Sequence, residues 1–380
     1  MTSINEMKKS GHKLFISGPV NLDDNIRESI YNSPDIGHRE LEFVELLKGI
    51  REKLLIVFKA NKEEYSVLIF TGSGTSAMEA VMAANVHEGK KALIVSNGEF
   101  GERFAEIADI HHIKYKHLKY QWGEPVQLDD IDKILKNDSD IETVVMTYHE
   151  TSIAILNPVK EIGKLAKRYN KFFIVDCISA VGGEPLDVVK YNIDFAIGSS
   201  AKALQSMPVL GIVCARKSAI KAISDIKPRC YYLDLLKHYR YEEELNQTPY
   251  TPAVPLFFAL NQSLDNILEE SIKGRLRRYE KNANYLRKGL KKMGLIFFLP
   301  EKYHSRMVVY AMLPENISYE PLHKKLRESG FIIYAGKGHL DNRAIHIANI
   351  GNINKKDIDN FLFHLEKAIN ETKIKSIKAR

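Results

Sequence analysis

Long apolar runs are missing from this chain of 380 residues. No uncharged stretch reaches the ~20 residues that cross a bilayer, so no membrane span is expected. Cysteine is scarce: Cys177, Cys214 and Cys230 have neither the pattern of a disulfide framework nor the spacing of a zinc site. A signal-peptide core is lacking too. Three lysines fall between Met1 and Lys13 before any apolar segment, which implies a cytoplasmic protein. Internal repeats and low-complexity segments are absent, as is the interleaving of basic with aromatic residues that a nucleic-acid platform uses. The net charge of +7 is spread along the chain apart from a small tail cluster, Lys373 to Arg380, so no nucleic-acid partner is expected. Hydrophobic residues at 44% and charged residues at 27% are ordinary globular proportions, and the length allows one large domain and a smaller one.

What the chain does have is a repeated strand–helix alternation. Apolar runs at 66–70, 92–96, 113–118, 143–147, 172–175, 193–197 and 208–214 read as strands. Helical patterns fall between them, over 24–31, 40–59, 77–84, 102–109, 131–135 and 157–167. Such alternation predicts an open, mostly parallel α/β sheet with its site at the carboxyl edge. After position 214 the texture changes. A proline-punctuated loop, Thr248 to Pro252, leads to a long helical segment from about Pro255 to Met293 with a break. Strands at 306–312, 331–334 and 344–348 and helices at 319–328 and 356–369 then predict a compact α+β second domain. The expected division is an N-terminal arm over 1–20, a large domain over 21–255, and an interdomain helix with the small domain over 256–380.

Several residues stand where chemistry needs them. Asp176 ends the run Phe172-Phe173-Ile174-Val175, and Lys202 follows the next strand, so acid and amine can meet over one pocket. That pair suits pyridoxal phosphate, whose aldehyde a lysine captures as a Schiff base while a carboxylate keeps the ring nitrogen protonated. Taken alone, it reads equally well as a strand-end acid and a surface lysine. Ser66 to Phe70 runs into Thr71-Gly72-Ser73-Gly74-Thr75-Ser76 and a helix. Small residues there let backbone N–H groups and the positive helix end approach a phosphate. Neither a Walker loop nor a dinucleotide fingerprint is completed. Phe100, on a strand-exit loop, could stack on a planar cofactor, although a core position is the usual fate of a phenylalanine. His38 and Arg39, at the start of a helix, could hold an anion or simply face solvent.

Together these pieces resemble the class V, fold-type I aminotransferases, and within them most nearly the 2-aminoethylphosphonate–pyruvate branch. The resemblance rests on five segments in the same order over nearly the whole chain. They are Gly72-Ser73-Gly74-Thr75 before Glu79-Ala80, Val95-Ser96-Asn97-Gly98, and His149-Glu150-Thr151-Ser152 before Leu156-Asn157-Pro158. To these are added Ile174-Val175-Asp176-Cys177-Ile178-Ser179 with Gly182-Gly183, and Ser200-Ala201-Lys202. The resemblance implies a large domain with a mostly parallel seven-stranded sheet, a small C-terminal domain and pyridoxal 5'-phosphate as cofactor. It implies Lys202 as the Schiff-base lysine, Asp176 on the ring nitrogen, and Ser73, Gly74 and Thr75 on the phosphate. Phe100 would lie on the ring face and Thr151 near the ring hydroxyl. Tyr250 and Thr251 would reach the neighbouring subunit's cofactor, which implies a homodimer with shared sites. Gly18 would lie against the substrate. His38 and Arg39 resemble the His-Arg pair with which phosphoserine aminotransferases hold a substrate phosphate.

Two departures bear on the substrate. His346 in His346-Ile347-Ala348-Asn349-Ile350-Gly351 stands where the family has an arginine for the substrate's acid group, and Ser17 replaces a usual proline. A histidine is a weaker, pH-dependent clamp without a bidentate fork. Strand alternation points the nearby Arg343 to the opposite face. The expected activity is transfer of an amino group between a small anionic amine and a 2-oxo acid such as pyruvate. The alternatives are alanine–glyoxylate or serine–pyruvate transfer, and a lyase or desulfurase. The last needs an exposed nucleophilic cysteine, for which Cys230 is the remaining, weak candidate.

Overall fold

The computed structural model of the chain describes residues 11–378. The first ten residues of the expected arm lie outside the described residues, as do the side chains of the basic tail cluster from Lys373. A seven-stranded sheet forms the centre of the large domain. Its strands, in chain order, are β1 (Tyr65–Thr71), β2 (Lys91–Ser96), β3 (Tyr115–Lys119), β4 (Ile141–Thr147), β5 (Phe172–Asp176), β6 (Phe195–Ser199) and β7 (Leu210–Arg216). Across the sheet the order is β1-β7-β6-β5-β4-β2-β3. Only β7 runs against its neighbours. The carboxyl ends of β1, β2, β4, β5 and β6 therefore share one edge.

The unbroken apolar character of these strands follows from burial on both faces. Successive residues of β1 show it: Val67 and Ile69 enter one core, Leu68 and Phe70 the other. The open edge of β1 is covered by a helix, Leu235–Glu244, whose Glu242 carboxylate accepts the Ile69 N–H. The sequence pattern gives no periodicity there. Its signal is Asp234, which caps the helix by accepting from the N–H groups of Leu236 and Lys237.

The expected long helix is two helices, Val254–Glu270 and Ile272–Lys292, broken at Ser271, whose φ is 62°. The first packs Phe257, Leu260, Leu264 and Ile267 on the large core, and the second sends Leu286 and Leu290 into the small one. Packing thus changes partner between these two helices, within the segment expected to bridge the domains. The small domain holds an antiparallel sheet of β8 (Ile296–Phe297), β9 (Val308–Met312), β10 (Tyr334–Ala335) and β11 (Ala344–Ala348), in the order β8-β9-β11-β10. The single strand expected over 331–334 is divided. Phe331–Ile332 pairs with Lys13–Leu14, while Tyr334 and Ala335 pair with β11. Lys13 and Leu14 are thereby fastened to the small domain, and Phe15 lies in its core.

Candidate active site

Five strand ends at the shared edge surround a cavity of about 250 Å³. From β5 comes Asp176, registered beside Thr147 of β4 and Ile197 of β6. Three residues past the end of β6 stands Lys202, which lines the cavity with Asp176. From β1 come Ser73, Gly74 and Thr75, and from β2 comes Phe100. The helix after β1 begins at Gly74, three residues earlier than its apolar pattern indicates, so its first N–H groups open directly on the cavity. A Cβ on Gly74 would fall 2.7 Å from Ile178 Cδ1 and 3.1 Å from Ser199 Cβ, so only glycine lets this turn sit so close to the strands. Gly18 closes the other side. It has φ +149°, and a Cβ there would lie 2.4 Å from Lys202 Nζ.

Burial sets the electrostatics. Asp176 is almost wholly enclosed, and burial lifts its carboxyl to about 6 against the opposing pull of the Ile178 N–H, Arg103 and Lys202. The Ile178 N–H donates to Asp176 Oδ1 at 2.8 Å. Burial also brings the Lys202 amine down to about 8; Asp176 opposes this, while the positive charges of Lys337 and Arg103 push the same way. An amine with this value is protonated below pH 8 and a nucleophile above it. In the cofactor-free chain, labelling of Lys202 by an amine-reactive reagent should therefore rise about tenfold per pH unit and level off near 8. A midpoint near 10.4, that of an ordinary lysine, would contradict the assigned environment.

Two residues that line the cavity, Arg103 and His149, and one beside it, Lys337, are not among the expected site residues. Arg103 lines the cavity, donates to Thr75 Oγ1 at 3.2 Å, and places its guanidinium 4.8 Å from the Phe100 ring centroid. Its signal was available: Phe100 lies in the first turn of the helix Glu99–Ile110 rather than on a loop, so a residue three positions on shares its face. His149 also lines the cavity. Its Nδ1 pairs with the Ser179 carbonyl at 2.9 Å, while its buried Nε2 has no partner. Burial, the largest influence, holds this imidazole down at about 4, so it is neutral. Lys337 arrives from the small domain. It bonds Glu99 Oε2 at 2.7 Å and stands 5.2 Å from the Phe100 ring centroid.

Other expected residues lie elsewhere. Thr151 is buried in the turn after His149–Glu150 and does not line the cavity. Arg39 donates to Gln247 Oε1 and to the carbonyls of Thr248 and Pro249, and neither it nor His38 lines the cavity of its own chain. The same bonds tie Arg39 to the loop carrying Tyr250 and Thr251, which is likewise away from that cavity. Tyr250 donates to the Tyr231 carbonyl and stacks on Tyr232. His346 sits in β11 between Tyr310 and Tyr334, stacked on Tyr310 at 4.9 Å. It is buried, neither ring nitrogen has a partner, and burial first, then the charge of Lys202, hold it near 3. The clamp expected there carries no charge at neutral pH. Cys177 and Cys214 are buried with thiols pushed up by burial, and Cys230 does not line the cavity. Among the described residues no helix is long and apolar enough to cross a membrane.

A pyridoxal phosphate fits these donors. The cavity has an anion-binding helix start with Arg103, an amine brought below its ordinary range, a buried acid, and an unpartnered His149 nitrogen at its border. Comparison with known proteins points the same way. The sequence model described as aminotransferase class-V matches residues 27–346. An uncharacterized aminotransferase of Methanocaldococcus jannaschii is 35% identical over 94% of this chain and 92% of its own length. A 2-aminoethylphosphonate–pyruvate transaminase of Bacteroides fragilis is 30% identical over 90% of this chain and 95% of its own. The crystal structure of an alanine–glyoxylate aminotransferase from Nostoc superposes with a TM-score of 0.89 at 24% identity, covering 94% and 95% of the two chains.

Proposed function

The chain belongs to the class-V aminotransferase family and is a pyridoxal 5'-phosphate enzyme; from that premise we propose that it moves an amino group from a small amine with a phosphonate or phosphate head to a 2-oxo acid such as pyruvate. The observation that carries this reading is the convergence of Lys202, Asp176 and the Ser73-Gly74-Thr75 helix start on one cavity, with Gly18 against the lysine amine. Lys202 would hold the cofactor covalently, Asp176 would face its ring nitrogen, and the helix start with Arg103 would take its phosphate. When bound, the cofactor serves as an electron sink for the substrate carbon that carries the amino group. Lys202 Nζ then holds the proton that leaves that carbon and returns it elsewhere, a task suited to an amine near 8. His149, neutral and with Nε2 unpartnered, would accept a hydrogen bond from the bound group without adding charge. Gly18 leaves room beside the amine that any larger residue would fill.

The preference for a phosphonate head rests on the Bacteroides relative and on Lys337. With His346 uncharged, Lys337 is the small-domain cation whose charge reaches Lys202. It is paired with Glu99, and an incoming head must compete with that carboxylate. A phosphonate brings more charge and three acceptor oxygens, so it competes better than a substrate carboxylate. Arg39 and the Tyr250–Thr251 loop are tied together and lie outside their own chain's cavity, which supports a homodimer in which they serve the neighbour's site. Sedimentation of the holoenzyme at the mass of one chain would end that part of the reading.

A donor panel tests the substrate. With pyruvate as acceptor, 2-aminoethylphosphonate should give the highest kcat/KM. Lys337→Gln should raise its KM about tenfold, the size of one hydrogen bond to a charged group, with kcat within about threefold and the alanine KM unchanged. If alanine or serine is the better donor with glyoxylate, the site is that of an alanine–glyoxylate enzyme instead.

A further inference from the structure

Outside the cavity, three side chains from three separate elements converge on one point. Glu79 lies in the helix Gly74–Ala84, His111 immediately follows the helix Glu99–Ile110, and Cys230 sits in the loop between the helices Lys217–Ala222 and Leu235–Glu244. His111 Nε2 is 2.9 Å from Glu79 Oε1 and 3.9 Å from Cys230 Sγ, and one ligand atom from each residue lies within 4.8 Å of the other two. Their positions are too far apart in sequence for any spacing rule to reveal them.

The geometry decides between two uses of such a trio. A nucleophilic thiol assisted by a histidine and an acid needs the thiol at one ring nitrogen and the carboxylate at the other. Here both meet the same nitrogen, Nε2, so the ring cannot relay a proton from sulfur to carboxylate. Convergence of sulfur, nitrogen and oxygen on one point is instead what a bound cation requires. In a tetrahedral zinc site, bonds of about 2.0–2.3 Å place neighbouring ligand atoms roughly 3.3–3.6 Å apart. The separations of 2.9 and 3.9 Å bracket that range, and the Glu79–Cys230 pair lies within 4.8 Å, so side-chain rotations can bring the three atoms onto one ion. A thiolate with an imidazole suits zinc and not magnesium or calcium, which take oxygen ligands.

The loop that carries the cysteine is fixed beforehand. Arg229 donates to the carbonyls of Ala83, Asn85 and Val86 at the end of the Gly74–Ala84 helix. Tyr232 donates to the Thr71 carbonyl at the end of β1. Anchors on both sides of Cys230 hold its sulfur beside the histidine, so little ordering remains for a ligand to impose.

We propose that Glu79, His111 and Cys230 form a zinc(II) site with three protein ligands and a fourth position open to water through the partly exposed Glu79. Binding displaces the thiol proton of Cys230 to solvent and shifts the His111 proton from Nε2, where it faces the Glu79 carboxylate, to Nδ1. The ion joins the helix that begins at Gly74 and the helix that carries Phe100 and Arg103 to the loop that carries Cys230. It stabilises the cofactor-binding edge without entering the reaction.

The test uses the pyridoxal-phosphate-loaded full chain, treated with chelator and kept under a non-metal-binding reductant. Calorimetric titration with zinc chloride should show one ion per chain. Cys230→Ser and His111→Gln should each weaken binding at least tenfold, with transaminase turnover in the absence of zinc unchanged. In the unaltered chain, zinc should slow alkylation of Cys230 at least tenfold, read by peptide mass. Absence of zinc binding, either variant binding zinc as tightly as the unaltered chain, or Cys230 alkylated at the same rate with and without zinc would each overturn the proposal.

Discussion

Lys202→Ala is expected to lower transamination by at least about 10⁴-fold while leaving the fold intact. The lysine has two tasks that no other cavity residue can take over. Its amine captures the cofactor, and it then carries the proton between two atoms of the reacting system. Positioned proton transfer alone contributes about 10²–10⁴-fold. Arg103 lines the same cavity but cannot lose its proton, and the neutral His149 is held at about 4, too weak a base to substitute. Burial disfavours the charged form of this amine, so truncation should cost little stability. Turnover within a hundredfold of the unaltered chain would show that the proton travels by another group.

Asp176→Asn should keep the cofactor and lose about 10²–10³-fold in rate, the scale of removing one preorganised charge from an enclosed site. The present surroundings make the reason plain. Enclosure lifts the carboxyl to about 6 because the cations near it, Lys202 and Arg103, only partly offset the loss of water. A positive ring nitrogen against Asp176 supplies the missing partner, and each then holds the other in its charged form. An amide of the same shape preserves packing and the bond from Ile178 N–H but cannot hold a positive charge. The loss should therefore fall on kcat rather than on cofactor affinity. A variant with near-normal kcat would remove Asp176 from this role.

Much of the fold could be read from the sequence because burial on both sheet faces leaves uninterrupted apolar strands, and all seven strands of the sheet overlap the expected runs. The helix Leu235–Glu244 could not, since it covers a sheet edge through Glu242 and a buried His238 rather than through an apolar stripe. Around the cavity, the lining residues that end a strand or closely follow one are legible in the sequence: Asp176, Lys202, Gly74 and Phe100. Lys337 was not, because its relation to Glu99 and Phe100 depends on how the small domain docks, which no local pattern encodes. For His346 the sequence shows the residue but not its burial between two tyrosines, and that burial determines its charge.

The central claim is that Lys202 is the residue that holds the cofactor, and one measurement addresses it directly. The pyridoxal-phosphate-loaded chain is reduced with borohydride, digested, and its peptides sequenced by mass spectrometry. The account predicts that the pyridoxyl group is found on Lys202 in stoichiometric amount, and that Lys202→Ala yields no labelled peptide. Stoichiometric label on another lysine, with Lys202 unmodified, would contradict it.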